Sequence, residues 1–218
     1  MSIVKIRAAL EARLETVAPI IPAVAIASAT TGANPVFTTV LPHGLITGLP
    51  VRFVGRTGGN PTLNLVYLAL VLSPTTFSLQ NTATKANIPV IIAGNGGSVL
   101  ASLTAYANVI YNPVVGVPYQ MLHMVPFKPM EPTQGGGYYK EHGLFQVTLV
   151  YPVGVGSTAI LARAELIRTA FKKGSTVVNG GLTTTIVDTP EFGYLDGTSD
   201  SNQFTLPVKI GYSADIYC

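Results

Sequence analysis

The sequence predicts an α+β protein: one antiparallel β-sheet with two helices packed on it, and a small all-β barrel or sandwich module inserted into that core. Three observations favour this class. Two segments have the apolar periodicity of amphipathic helices, and several others alternate apolar and polar residues, as half-buried strands do. In addition, residues 23–100 contain only three charged side chains and no Asp or Glu, unlike the rest of the chain.

The first predicted helix spans residues 3–17, with Ser2 as N-cap. Such a helix either binds a partner or lies on the sheet of its own domain, and the second arrangement is the commoner one. Its apolar residues recur at spacings of three and four: Ile3, Ile6, Leu10, Leu14 and Val17.

The second predicted helix runs from Thr158 to Lys173, with Ser157 as N-cap and Gly174 just after its end. Lys172 and Lys173 occupy the last turn, where the helix dipole favours positive charge. One face carries the apolar residues Ile160, Ala164, Ile167 and Phe171.

Strands are predicted between and after these helices. Because Pro207 has no N–H to donate, its strand is expected at a sheet edge or at a bulge. The Pro- and Gly-rich segment 126–142 is expected to be a long mobile loop. The predicted strands of the core are 145–151, 176–179, 182–187 and 204–212.

The charge-poor segment is interpreted as an inserted module at residues 23–100, which leaves residues 1–22 and 101–218 as the core domain. Its charged side chains are Arg52, Arg56 and Lys85. Three dispersed bases with no aromatic platform do not favour nucleic-acid binding. The predicted strands of the module are 36–40, 51–54, 65–72, 76–79 and 88–93.

Composition indicates a surface hidden by partners. Hydrophobic residues make up 48% of the chain and charged residues 11%. The longest apolar stretches, 17–29 and 109–117, are interrupted by prolines and fall short of the roughly 20 residues of a membrane helix. The first residues lack a secretory signal, so synthesis in a cytoplasm is expected, with no membrane partner.

Two motifs imitate phosphate-binding loops. Gly154–Ala159 lies between a strand and a helix, but no acidic residue follows about 20 positions later to bind a ribose. A tight strand-to-helix turn explains it better. Residues 173–176 have the composition of a phosphate loop in the wrong order, at a helix C-terminus that repels phosphate.

No set of residues has the spacing of an active site. The single cysteine, Cys218, excludes an internal disulfide, and Asp196 and Asp200 are expected to be solvated in a loop. The sequence therefore predicts no enzyme: no catalytic residue, no cofactor and no metal ligand. The three histidines, His43, His123 and His142, match no metal-ligand spacing and are expected in turns or at the surface.

The core resembles the phage tail terminator, or tail completion, family over residues 1–22 and about 101–215. The resemblance rests on runs that keep their order and spacing: residues 104–113 (TAYANVIYNP), 116–120 (GVPYQ), 142–147 (HGLFQV), Tyr151-Pro152 before Gly154 and Gly156, 171–174 (FKKG) and 206–210 (LPVKI). The insert resembles a small β-module that recurs in phage tail proteins, through residues 34–36, 42–45, Gly48, 51–53 and 76–79. A terminator usually passes directly from its first helix to its first strand, so the insert departs from the family pattern.

The resemblance implies a structural virion protein made in the bacterial host's cytoplasm. It implies a hexameric ring that caps the tail tube, ends tail polymerisation and joins the tail to the head-neck connector. The implied partners are further copies of the chain, the tail tube protein and a head-completion or neck protein, with genomic DNA passing through the lumen unbound. A tail tube, minor tail or capsid decoration protein is the alternative. The resemblance assigns no interaction residue.

Overall fold

The computed structural model describes residues 2–57, 65–92, 94, 96–107, 109–131, 137–154, 156–194 and 202–217. The chain forms two compact units: unit 1 comprises Met1–Ala18 and Thr104–Cys218, and unit 2 comprises Pro19–Leu103. These boundaries fall a few residues from those expected for the insert. That the insert folds by itself stays a prediction.

Unit 2 is a closed six-stranded barrel with the strand order β1-β2-β5-β4-β3-β6, in which β6 pairs with β1. Inward-facing aromatic rings fill it, with Phe37 lying 5.2 Å from Phe53 and 5.4 Å from Phe77 between ring centroids. Short strands whose alternate residues are buried close readily around such a core. The strands are β1 (Val24–Ala29), β2 (Phe37–Thr39), β3 (Pro50–Val54), β4 (Tyr67–Ser73), β5 (Thr76–Gln80) and β6 (Ser98–Ala101).

Unit 1 contains an open sheet with the strand order β10-β11-β13-β9-β8-β7, and β12 pairs with β13 beside this path. The β7–β8 pair is parallel and the other pairs are antiparallel. The elements are α1 (Ser2–Glu15), β7 (Thr104–Ala105), β8 (Tyr119–Pro126), β9 (Tyr138–Pro152), α2 (Thr158–Ala170), β10 (Thr176–Asn179), β11 (Leu182–Ile186), β12 (Glu191–Phe192) and β13 (Gln203–Tyr217).

The two longest strands, β9 and β13, pair along their whole length, from Tyr138 opposite Tyr217 to Pro152 opposite Gln203. We call this pair the β9–β13 ribbon. The alternation of apolar and polar residues in both strands gives the ribbon one buried face. Its fully buried residues include Phe145, Val147, Leu149, Val208 and Ile210.

Both helices bury the apolar stripe seen in the sequence. Helix α1 buries Ile6, Leu10 and Leu14 and contacts β10 and β11. Helix α2 contacts β9 and β13 and ends at Ala170, with Phe171 as its C-cap, so it is shorter than predicted. Ser157 has the N-cap position, but its side chain makes no capping hydrogen bond.

The prediction of an α+β class is wrong. The chain is mostly β, with 45% strand and 14% helix, arranged as a closed barrel and a half-barrel sheet rather than as an α+β core. The sequence pattern did not predict the strands β1, β6, β7, β8 and β12. It also assigned the first part of β9 to a mobile loop, because prolines and glycines precede the polar residues 138–142.

Two further strand predictions are corrected. Residues 88–93 form no strand among those described; Val90 makes an isolated bridge to Gly32, and residue 93 lies outside the described part. Pro207 does not lie at a sheet edge, since β13 pairs with β9 on one side and with β12 on the other. The Pro207 carbonyl accepts a hydrogen bond from Gly193 N at 2.8 Å. The proline nitrogen therefore faces the two-residue strand β12, and the ladder with β9 needs no donor from it.

Candidate interaction site

Residues 106–117 lie between the parallel strands β7 and β8, and we call them the neutral loop; residue 108 lies outside the described residues. No charged residue occurs from position 104 to position 122. Two β-branched side chains stand almost entirely in solvent, Ile110 with 92% and Val115 with 90% of its surface exposed. Large exposed apolar side chains that lie close together in the sequence are candidates for a protein interaction site.

Helix α1 holds the base of the neutral loop through polar contacts. Tyr106 Oη donates a hydrogen bond to Glu15 Oε1 at 2.8 Å. Arg7 Nη2 lies 3.5 Å from the Ala107 carbonyl oxygen, and Arg7 Nε donates to Glu11 Oε1 at 2.6 Å. The charged groups next to the loop are thus engaged at its base, away from its apolar tip.

Aromatic packing supports the second half of the neutral loop. The Tyr111 ring lies 5.3 Å from the ring of Tyr119, the first residue of β8. Burial, with a smaller contribution from Tyr119, raises the pKa of Tyr111 to about 12. A turn closed by Val117 N and the Val114 carbonyl at 3.1 Å places Val115 at the tip. The loop therefore presents a neutral apolar surface on a fixed base.

A second surface feature is an open cleft of about 350 Å³ beside the first turn of α1, the Gly180-Gly181 turn and the end of β13. Lys5 Nζ donates to the Gly180 carbonyl at 3.0 Å. Tyr138 Oη donates to Asp215 Oδ1 at 2.7 Å, and this bond raises the pKa of Tyr138. Two charged side chains that line the cleft, Lys5 and Asp215, are therefore each held by a hydrogen bond.

A buried polar cluster lies beneath α2. Arg163 is 5% exposed, and it donates to the Ala18 carbonyl through Nη1 and to Gln120 Oε1 through Nη2 at 3.0 Å. Gln120 Nε2 in turn donates to Thr104 Oγ1 at 2.9 Å. Burial lowers the pKa of Arg163, and Tyr151 acts in the opposite sense. Ala18 and Thr104 are the residues of unit 1 that flank unit 2 in the sequence, so the cluster joins both ends of the core at the insertion point.

The phosphate-loop imitation lies in a turn before α2. Gly154 and Gly156 have φ values of 93° and 74°, in the left-handed region that glycine adopts without strain. Residue 155 lies outside the described residues. Gly174, in the second imitation, also has a positive φ of 78° and follows the end of α2. Both segments serve as turns next to α2.

The histidines occupy three different environments. His43 lies in the β2–β3 connection and is buried: its Nδ1 accepts a hydrogen bond from Leu45 N at 3.0 Å, and its ring contacts Phe77. His123 is exposed, and His142 packs against Phe127 with 5.6 Å between ring centroids. Asp196 and Asp200 lie outside the described residues. Within the described ranges, no three His, Cys, Asp or Glu side chains are grouped as metal ligands.

A comparison with models of known protein families identifies the family of this chain. A family model described as phage tail terminator protein matches residues 99–212, which is more than half of the chain and contains the whole neutral loop. The chain belongs to the phage tail terminator family. This family is structural rather than enzymatic, and it places the terminator in the virion tail. In the described part of the terminator, neither helix is long and apolar enough to cross a membrane.

Other comparisons add little to this assignment. A search of curated proteins gives no match. One solved structure is similar to the terminator with a TM-score of 0.46 and 23% identity, over 54% of this chain and 82% of the other. A similarity of that size supports no conclusion on function.

The site was only partly visible in the sequence. The apolar stretch 109–117 stood out, but it was used there to exclude a membrane helix and not to locate a surface. Arg163 was missed, although it lies three residues after Ile160 and therefore on the apolar face of α2. That spacing is the signal that identifies a buried arginine in this helix.

Proposed function

We propose that the terminator forms a closed ring, a hexamer, that caps the tail tube, ends tail polymerisation and joins the tail to the head-neck connector. The observation that carries this proposal is the family match over residues 99–212. The proposed partners are further copies of the chain, the tail tube protein and a head-completion or neck protein. Genomic DNA passes through the lumen without specific binding, and the protein is made in the host cytoplasm.

The physical requirement for ending a polymer supports the proposal. Each exposed end of a tube built from identical rings is a template for the next ring, unless a different ring covers it. A ring with two chemically different faces accepts tube subunits on one side and refuses them on the other. Interface burial alone holds such a ring in place, and no turnover chemistry is needed.

We further propose that the neutral loop forms part of the contact between neighbouring subunits of the ring. Ile110 and Val115 are β-branched side chains that lose little conformational freedom when they are buried. The absence of charge from residues 104–122 means that no ion must be desolvated when the loop is covered. Apolar residues on a fixed base are typical of the centre of an interface.

The biological role is tested by deleting the gene from the phage. We expect unjoined heads and tails, with tails of irregular or excessive length in electron micrographs. Complementation with the wild-type gene should restore normal virions. Tails of normal length joined to full heads in the deletion phage would exclude the role and favour a decoration protein.

The ring is tested with the purified protein by native mass spectrometry and negative-stain microscopy. We expect hexameric rings for the wild type and monomers for the double variant Ile110→Asp, Val115→Asp, because each charge would be buried without a partner. Val4→Asp is the matched control, since Val4 is an exposed valine in the first turn of α1, where an acid is favourable.

Circular dichroism of all three proteins should be the same. Rings that persist in the double variant would show that the neutral loop lies outside the subunit contact. Long polymers of the wild-type protein, instead of rings, would favour a tail tube protein.

A further inference from the structure

The barrel carries a second apolar surface, where the connection between β2 and β3 runs beside the end of β4. Val71 N donates a hydrogen bond to Thr47 Oγ1 at 3.0 Å. His43 N donates to the Pro74 carbonyl, also at 3.0 Å. These two bonds hold the connection and β4 side by side.

Three large apolar side chains are exposed along these two segments. Leu41, Ile46 and Leu72 have 66%, 47% and 53% of their surface exposed. Ile46 precedes Thr47 and Leu72 follows Val71, so both lie one residue from the same hydrogen bond. We call Leu41, Ile46 and Leu72 the barrel patch.

The backbone fixes the barrel patch in position. Thr39 Oγ1 bonds to the Leu41 carbonyl at 2.7 Å and to the Thr75 carbonyl at 3.2 Å, which ties the connection to the β4–β5 turn. The register between β4 and β5 shifts at Leu72. A bulge of this kind redirects a side chain, and Leu72 is left at the surface.

The segments that carry the barrel patch are uncharged. The sequence has no Asp, Glu, Lys or Arg in residues 23–51 or in residues 57–84. The same holds for residues 104–122, which contain the neutral loop. A contact between the two surfaces therefore desolvates no ion of these segments, and the cost of burying a charge does not arise.

A head-to-tail ring of identical subunits needs two different contact surfaces on each subunit, because one surface of a subunit meets another surface of the next. In the ring proposed above, the neutral loop supplies one of these surfaces. Its counterpart is therefore a different part of the same chain, and it has to match the neutral loop in chemistry.

The exposed face of α2 matches the neutral loop less well. Leu161 and Leu166 are exposed there, but Glu165 lies next to Leu166 and one turn after Leu161. The Glu165 carboxylate pairs with Arg168 at 2.9 Å. Covering this face with an uncharged loop would desolvate the ion pair without a new partner.

We propose that the barrel patch of one subunit binds the neutral loop of the neighbouring subunit. The proposal rests on the ring proposed above and names the surface that covers Ile110 and Val115. Both surfaces are aliphatic, uncharged and held on a fixed backbone, as at the centre of a protein interface. The charge-poor insert then serves as the receiving surface of the ring contact.

Cross-linking between two single-cysteine proteins tests this contact. Both carry Cys218→Ser, and they are co-expressed with tags of different mass, one with Ile110→Cys and the other with Leu72→Cys. We expect a short bis-maleimide to join them into a heterodimer on denaturing gels. Neither protein expressed alone should link to itself. Leu161→Cys in place of Leu72→Cys is the matched control and should give no heterodimer.

The outcomes separate this inference from the proposed function. Rings in native mass spectrometry without the heterodimer would overturn the inference and leave the ring standing. A wild-type protein that forms no rings would refute the ring, and the inference with it. Self-linking of the Leu72→Cys protein would show that the patch binds its own copy, which would overturn the neutral loop as the occupant.

Charge pairing gives a second readout. Leu72→Asp and Ile110→Lys should each convert rings into monomers, because a charge would be buried without a partner. Combining the two in one chain should restore rings, whereas Ile110→Lys with Leu161→Asp should not. Rings in Leu72→Asp alone, or in both combinations, would overturn the proposal. Circular dichroism checks folding, and the conservative Leu72→Cys experiment decides should Leu72→Asp not fold.

Discussion

At the scale of single residues, Gly143 shows how a missing side chain makes room for a buried ring. Gly143 of β9 stands opposite Tyr212 of β13. A Cβ at this position would lie 2.5 Å from the Val125 carbonyl oxygen and 2.6 Å from Tyr212 Oη. Because the Val125 oxygen belongs to the backbone of the neighbouring strand, it cannot move aside without disturbing the sheet.

We therefore expect Gly143→Ala to lower the free energy of unfolding by about 1–3 kcal/mol, the usual cost of overpacking. Urea denaturation measures this loss. Gly211→Ala is the matched control in the other strand of the ribbon, because its Cβ would meet the side-chain atom Val187 Cγ2 at 3.0 Å, which can move. Equal losses for the two variants would contradict this explanation.

Tyr212 gives a prediction on pH. Its hydroxyl is buried and has no hydrogen-bond partner among the described residues. Burial, with a smaller contribution from Glu141, raises the pKa of Tyr212 to about 12, above the value of about 10 in an unfolded chain. The folded state therefore favours the neutral phenol. This contribution to stability is complete below about pH 10 and is lost as the pH rises through about 12.

We expect Tyr212→Phe to be as stable as the wild type at pH 7, since it removes a buried hydroxyl without a partner. Its loss of stability above pH 10 should be shallower than that of the wild type. Urea denaturation between pH 8 and pH 11 measures both effects, and tyrosinate absorbance gives the ionisation. An unchanged slope would mean that other groups control alkaline unfolding.

Sequence reasoning located the apolar core residues well but misjudged two arginines. A charged side chain is normally exposed, and the sequence analysis assigned no buried position to Arg56 or Arg163, which are 3% and 5% exposed. The burial of Arg163 was not predicted because only the apolar residues of α2 were used to define its buried face. The burial of Arg56 was not predicted because Gly55, with a φ of 65°, interrupts the alternation of inward and outward residues. A two-residue period does not predict such an interruption.

At the scale of elements, α2 depends on one aromatic contact at its end. Phe171 is fully buried, and its ring lies 6.2 Å from that of Phe145 in β9. We expect Phe171→Ala to lower the free energy of unfolding by about 3–5 kcal/mol, the usual cost of truncating a buried aromatic side chain.

Leu166→Ala is the matched control on the same helix. Leu166 is exposed, so its truncation should change the free energy of unfolding by no more than about 0.5 kcal/mol. Thermal and urea denaturation of both variants measure the difference. A large loss in Leu166→Ala would indicate that this residue is covered in the assembled protein.

The strands that sequence predicted are those with clear alternation, such as 145–151 and 204–212. Those it missed lack that pattern. β1 (Val24–Ala29) is a run of small and apolar residues, and its exposed positions are the small residues Ala25, Ala27 and Ser28. The first residues of β9 are polar on both faces, so they have no apolar period, and only pairing with β13 makes them a strand. Tertiary pairing of this kind is not visible in a local sequence.

At the scale of the whole molecule, the Arg163 cluster indicates that the core can close without the insert. Arg163 donates hydrogen bonds to the Ala18 carbonyl and to Gln120, and Gln120 donates one to Thr104. The two ends of the core are therefore held in one hydrogen-bonded cluster. We expect a protein in which a short Gly/Ser linker replaces residues 19–103 to be soluble and folded, by circular dichroism and light scattering.

The same deletion carrying Arg163→Met should be destabilised by about 1–3 kcal/mol for each buried acceptor that loses its donor. An insoluble or unfolded deletion protein with Arg163 intact would show that the insert is part of the core's folding unit. If the two deletion proteins are equally stable, the cluster does not hold the junction.

The pairing of β9 with β13 also bears on how quickly the chain folds. No tight turn connects the two strands of the ribbon, because α2 and β10–β12 lie between them in the sequence. Even the paired residues that are nearest in sequence are residues 152 and 203. Closing such a loop lowers the conformational entropy of the chain before any stabilising contact between the strands forms. Folding slows as contacts become more distant in sequence. We therefore expect formation of the ribbon to be the slow step in folding of the newly made chain.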